Sequence, residues 1–120
     1  MLIFVASSRL EALRSFLNVL SMESDVSIQS ASSGKEALDA VTRKAPAVMV
    51  VDVVDDMSAL ELVAGVLTRN AFVNMAVVSD LSEEAFHEQS EGLGVLMRLD
   101  DPPAPLQAAE LIQKINALAP

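Results

Sequence analysis

Carboxylates bunch at Asp52, Asp55 and Asp56 and again at Asp100 and Asp101, each group following a largely apolar run, Ala47–Val51 and Gly94–Leu99. Ser79 and Asp80 follow a third such run, Met75–Val78, and Ser7 and Ser8 follow a fourth, Leu2–Ala6. Carboxylates can anchor a hard divalent cation, because Mg²⁺ takes oxygen ligands in near-octahedral geometry, whereas serine hydroxyls add only neutral oxygens that bind it weakly. Asp55, Asp56, Asp100 and Asp101 therefore read either as a cation site or as two solvated acidic loops. Among the residues that directly follow these runs, Arg9 is the one cation. It either places its charge beside Asp52 or lies on the surface in the first turn of a helix.

Other chemistries are thinly supplied. Cysteine is absent, which removes disulfides, thiolate ligands and cysteine nucleophiles. The single histidine, His87, falls in an acidic stretch that reads as an exposed helix. Four glycines, none in a G-x-G-x-x-G arrangement, leave no dinucleotide-binding loop. Eight Lys and Arg against seventeen Asp and Glu give a formal charge of −9, which phosphate backbones repel, so direct nucleic-acid binding is not expected. Aromatics make up 3% and all are Phe, so stacking platforms for bases are missing too.

The elements that position these groups follow from the hydrophobic pattern. At 120 residues and 52% hydrophobic, the chain reads as one domain over 1–120 with enough apolar surface for its own core. Its longest apolar run, Ala45–Val51, is far shorter than the ~20 residues that span a bilayer. No secretory leader is visible either, so no membrane contact is expected and the reading points to the cytoplasm.

Leu2–Ala6 reads as a buried parallel strand. Ser8 then caps a helix that turns Leu10, Leu13, Leu17 and Leu20 inward. Val26 and Ile28 alternate with Ser27 and Gln29, as in an edge strand. Ser33-Gly-Lys-Glu36 has capping-box spacing and opens a helix with Ala37, Leu38 and Val41 inward. After Pro46, the run Ala47–Val51 is a third strand that stops at Asp52. Leu60, Val63, Val66 and Leu67 mark a third helix, and Met75–Val78 a fourth strand ending at Ser79. Asp80 or Ser82 caps a short acidic helix through Ser90, on which Phe86 either anchors in the core or docks a partner. Gly94–Leu99 is a fifth strand, Asp100–Pro103 breaks the chain, and Pro105 lies near the start of a helix with Leu111, Ile112, Ile115 and Leu118 inward. Five such βα units predict a parallel α/β sheet with helices on both faces. In sheets of this kind, ligands collect at the carboxyl ends of the strands.

Several segments together resemble the response-regulator receiver domain of two-component signalling, over nearly the whole chain. They are Val50-Val51-Asp52 followed by Met57 and Leu60-Glu61-Leu62, Ser33-Gly-Lys-Glu-Ala-Leu38, Val78-Ser79, and Gly94-Val95 leading to Asp101-Pro102. The resemblance implies a three-layer, flavodoxin-like fold with five parallel strands in the order 2-1-3-4-5. It marks Asp52 as the phospho-acceptor position and Ser79 as the phosphoryl contact, although Ser79 equally suits a local cap. Ala6 and Ser7 stand at the family's Mg²⁺-holding acidic pair, Asp101 stands at its Lys, and Arg98 stands at its switch aromatic. The loop after Asp52 is one residue shorter than usual and carries Asp55 and Asp56; Met57 either fills the core or leans over Asp52. Ala119 and Pro120 follow the final helix, where a receiver domain would stop.

These departures change the electrostatics of phosphoryl transfer, in which charge on the equatorial oxygens needs neutralising. Replacing Lys by Asp101 reverses one charge. Two unit charges ~4 Å apart interact by roughly 4 kcal/mol at an effective dielectric near 20, and each ~1.4 kcal/mol is a factor of ten in rate. The resemblance thus implies a receiver-like phosphorelay domain acting as an interaction module without phosphorylation, enzymatic activity or cofactor. Its surface would be Ser82–Glu91, Val95–Leu99 and Pro105–Leu118, offered to a sensor histidine kinase, an output domain of the same protein or a second copy of the chain. Under the alternative, a histidine kinase phosphorylates Asp52, and Mg²⁺ is recruited by Asp52, Asp55, Asp56 or Asp100. A third reading, a flavin-type cofactor module, needs a phosphate cradle after the first strand. Ala6-Ser-Ser-Arg9 has hydroxyls for that role and no glycine.

Overall fold

Three short runs are apolar on both faces because they lie inside the sheet. In the computed structural model, which describes residues 1–118, these are β1 (Leu2–Ala6), β3 (Val48–Val51) and β4 (Asn74–Val78). The expected chain end at Ala119 and Pro120 lies outside the described residues. β2 (Ser27–Ala31) and β5 (Met97–Leu99) complete a five-stranded parallel sheet in the order β2-β1-β3-β4-β5. The expected topology is therefore found.

The pleat sends alternate residues to opposite cores. Ile3, Val5, Val48, Val50, Ala76 and Val78 face α1 (Arg14–Ser21) and α5 (Pro105–Leu118). Phe4, Ala6, Met49, Val51, Met75 and Val77 face α2 (Gly34–Arg43) and α3 (Ala59–Arg69), joined by Phe86 of α4 (Glu83–Ser90). Phe86 is thus a core anchor and not a docking group. Burying a side chain of this size is worth about 2 kcal/mol.

Local differences from expectation have identifiable causes. Ser8 does not cap a helix: its N–H and hydroxyl both donate to the Val53 carbonyl, at 2.8 and 3.1 Å, tying the end of β1 to the segment after β3. A 3-10 turn over Leu10–Leu13 comes first and shifts the phase of α1, so Leu10 is exposed and Phe16 enters the core. Ser33 accepts the Glu36 N–H, but the reciprocal capping box is Ser58 with Glu61, each bond 3.1 Å. Leu62, with Val63 and Val66, is buried in α3 where Leu60 was expected. Ser82, and not Asp80, caps α4 by accepting the Ala85 N–H. β5 is half its expected length, because Gly92 and Gly94 sit at φ 84° and 64°, a left-handed geometry that interrupts a strand. In α5, Ala108 and Leu111 are buried, while Leu118 is exposed. No described helix is long and apolar enough to cross a membrane.

Candidate functional site

The strand order places the end of β3 between the ends of β1 and β4, so Asp52 emerges in the middle of the mouth. Its N–H donates to the Ala6 carbonyl at 2.9 Å, continuing the β1–β3 ladder by one rung. That rung holds the carboxylate inward at 0% exposure. A buried carboxylate requires hydrogen bonds and a compensating charge. Ser7 supplies a hydroxyl that donates to Asp52 Oδ2 at 2.7 Å. Arg9 supplies the charge as a two-pronged fork, Nε to Oδ2 at 3.1 Å and Nη2 to Oδ1 at 2.8 Å. Paired, charge-assisted bonds of this kind are the strong class.

The fork is held from two further sides. The Arg9 N–H donates to Ser7 Oγ at 3.0 Å, which turns that hydroxyl's proton towards Asp52. Arg9 Nη2 also donates to Asp101 Oδ1 at 2.7 Å, joining the loop after β5 to the end of β3. The Arg9 side chain is 37% exposed and that of Asp101 26%, so this second pair is partly open to water. Hydrogen bonds to Asp52, and next to Asp101, hold the guanidinium further above its already high ordinary pKa. Of the two readings of Arg9, the charge beside Asp52 is the one found; the plain surface residue is not.

Other expected site residues are placed differently. Ser79 Oγ accepts the Leu81 N–H at 3.1 Å, a local turn ahead of α4, and the cap of that helix is Ser82 and not Ser79. Asp56 accepts the N–H groups of Gly34 at 2.8 Å and Lys35 at 3.0 Å. Those two bonds, Gly34's first, lower its pKa below the usual carboxylate value. Met57 packs against Gly34, where an added Cβ would lie 2.5 Å from its Sδ, and so it belongs to the core and does not lean over Asp52. Asp55 is exposed.

Arg98, at the expected aromatic position, is 14% exposed. Its Nη1 donates to the carbonyls of Ser79 and Leu99 at 2.9 and 3.0 Å, and its Nη2 to Asp100 at 2.8 Å. Nε is buried without a partner, and Glu83 Oε1 stands 3.8 Å away, beyond hydrogen-bond range.

The residues present do not fit a Mg²⁺ site. Ala6 has no side-chain oxygen, Asp56 is engaged on α2, and a guanidinium occupies the space between Asp52 and Asp101. Among the described residues, no three His, Cys, Asp or Glu side chains gather as metal ligands. The bridge from Arg9 to Asp101 was missed in the sequence. The signal for it is a charge exchange: Asp101 stands where the receiver resemblance implies a Lys, and Arg9 brings a cation two residues after Ser7.

No family model matches the sequence, and no curated protein matches it. Solved structures do. A CheY-like response regulator receiver domain protein from Methanospirillum hungatei JF-1 superposes with a TM-score of 0.82 at 18% identity, covering 97% of this chain and 94% of that one. The receiver domain of NtrX from Brucella abortus gives 0.82 at 14% identity, covering 98% and 99%. The signal receiver domain of NarL from Mycobacterium tuberculosis gives 0.81 at 17%, covering 98% and 97%. The chain has the receiver-domain fold of two-component response regulators, five parallel strands in flavodoxin-like order between helical layers. Within that fold, its cleft carries an arginine fork on the carboxylate after β3.

Proposed function

We propose that this domain is a receiver-like signalling module that works through protein–protein contacts without phosphorylation, its cleft held in one state by Arg9. The observation that carries the reading is the fork on Asp52, which engages both carboxylate oxygens of a side chain with no exposure. A nucleophilic attack from Asp52 on a phosphodonor would require that fork to open. The incoming group would then meet the like charge of Asp101, where transfer calls for positive charge. On this reading Asp52 keeps the acceptor position without its chemistry, and the domain has neither enzymatic activity nor cofactor. Partners engage Ser82–Glu91, Val95–Leu99 and Pro105–Leu118 from a cytoplasmic location. They are a sensor histidine kinase, an output domain of the same protein or a second copy of the chain. Arg98, held by two carbonyls and Asp100, keeps β5 in a single arrangement for that contact.

Incubation with acetyl phosphate and Mg²⁺, followed by intact mass measurement, tests this. The expected result is an unchanged mass. An adduct of about 80 Da, the increment of phosphorylation, that disappears in Asp52→Asn would overturn the reading and establish a phosphorylated receiver.

A further inference from the structure

We infer that Arg9 is a tethered cation standing in for a dissociable divalent ion, so that the cleft keeps its closed geometry whatever divalent cations surround it. The inference rests on the reading of the cleft as a fixed module and names what does the fixing.

Three observations converge on it. One nitrogen, Arg9 Nη2, lies 2.8 Å from Asp52 Oδ1 and 2.7 Å from Asp101 Oδ1, so a single positive centre gathers oxygens from the loops after β3 and β5. Gathering carboxylates from separate loops is what a bound ion does in an acidic cleft. Here the ion is part of the chain. Second, Asp52 is fully buried, and a buried anion persists only beside a cation or by taking up a proton. Third, the guanidinium is delivered ready-made. Its backbone N–H is fixed on Ser7 Oγ, its charge does not titrate in the accessible range, and no ligand must be drawn from solution.

The consequence is specific to this chain. With Arg9 in place, an entering ion would have to displace a covalently attached competitor whose local concentration does not fall on dilution. Without its guanidinium, the same cleft would hold Asp52, Asp101 and the Ser7 hydroxyl as oxygen donors around a vacated centre. Mg²⁺ is commonly held by one or two carboxylates with its remaining positions filled by water. Removing Arg9 should therefore convert a cation-indifferent domain into a cation-responsive one.

Thermal unfolding of the wild type, Arg9→Met and Arg9→Met/Asp101→Asn, with and without millimolar Mg²⁺ at constant ionic strength, tests this without any phosphodonor. Its failure would leave the acetyl phosphate result standing, and the reverse also holds. The wild-type midpoint is expected to stay put. Arg9→Met should melt several degrees lower, recover much of that loss with a saturating dependence on Mg²⁺, and lose most of the recovery when Asp101 is also changed. A wild type stabilised by Mg²⁺, or an Arg9→Met protein that stays folded and ignores the ion, would overturn the inference. Should Arg9→Met fail to fold, Mn²⁺ broadening of amide resonances in the wild type decides. Unbroadened Asp52 and Asp101 support the tethered cation, and broadening at either one refutes it.

Discussion

Arg9 and Arg98 bring their guanidinium groups to the same rim of the sheet, taking hold of the adjacent residues Asp101 and Asp100. Their remaining partners differ in kind. Arg9 neutralises a fully buried carboxylate, and each of its two bonding nitrogens meets charged oxygen. Arg98 is the more enclosed of the two, yet it satisfies itself mainly on backbone carbonyls and leaves Nε with no partner. A buried ion pair is costly to break because the abandoned charge stays in low dielectric, whereas a cation held by dipoles gives up ordinary hydrogen bonds. By that cost, the cleft is the end of the molecule expected to open last. The junction of α4 and β5 is expected to open first, since Glu83, 79% exposed, stands just short of completing the set around Arg98.

The largest expected effect tests the cleft. Breaking a buried pair costs roughly 3–5 kcal/mol; with Arg9 a third open to water, Arg9→Met should lose nearer 3 kcal/mol in urea unfolding. Arg9→Met/Asp52→Asn should regain part of this, because the stranded charge goes with its partner. A loss below about 1 kcal/mol, the range of exposed pairs, would erase the distinction between the two arginines.

Arg98→Met comes next. Three hydrogen bonds disappear, but so does the orphaned Nε, and an apolar stem remains, so about 1–1.5 kcal/mol should be lost. The sharper readout is amide hydrogen exchange, which should quicken in α4 well before it does in β1 and β3. Uniform quickening across the sheet would mean that Arg98 supports the whole fold and not one junction.

The smallest effect concerns the latch between the loop after β3 and α2. Asp56 has a folded pKa below its ordinary value, so its contribution is whole above about pH 4 and is lost as pH falls through the depressed folded value. Asp56→Asn should therefore be the less stable protein near neutrality, with the gap to wild type closing in acid. Urea midpoints measured from neutral to strongly acid pH check this. A gap that widens in acid would contradict the assignment of Asp56 to the Gly34 and Lys35 N–H groups.

Much of the fold was readable because its signals lie within a few residues of one another. The continuous apolar run before Asp52, the three- and four-residue spacing of Ala37, Val41, Val63 and Val66, and the caps at Ser33 and Ser82 report local geometry. Where reading by pattern slipped, a short turn had changed the phase: the 3-10 turn brings Phe16 inward in place of Leu10. The two left-handed glycines shortened β5 in a similar way. Ser58-Ala-Leu-Glu61 has capping-box spacing as plain as that of Ser33-Gly-Lys-Glu36, and it is the one that closes the reciprocal box.

The cleft was legible only as an inventory. Its carboxylates, its hydroxyls and its one neighbouring cation could all be named from the strand ends. Which of them would touch could not, since Arg9 reaches across 43 residues to Asp52 and 92 to Asp101. The sequence by itself determined the alternation of strand and helix and the burial of the third strand, because hydrophobic periodicity is written over short windows. The tertiary structure alone decided that the Arg9 guanidinium, with the Ser7 hydroxyl beside it, would answer the buried charge. Such a choice depends on strand order and on the low dielectric between the layers, and both exist only once the sheet has closed.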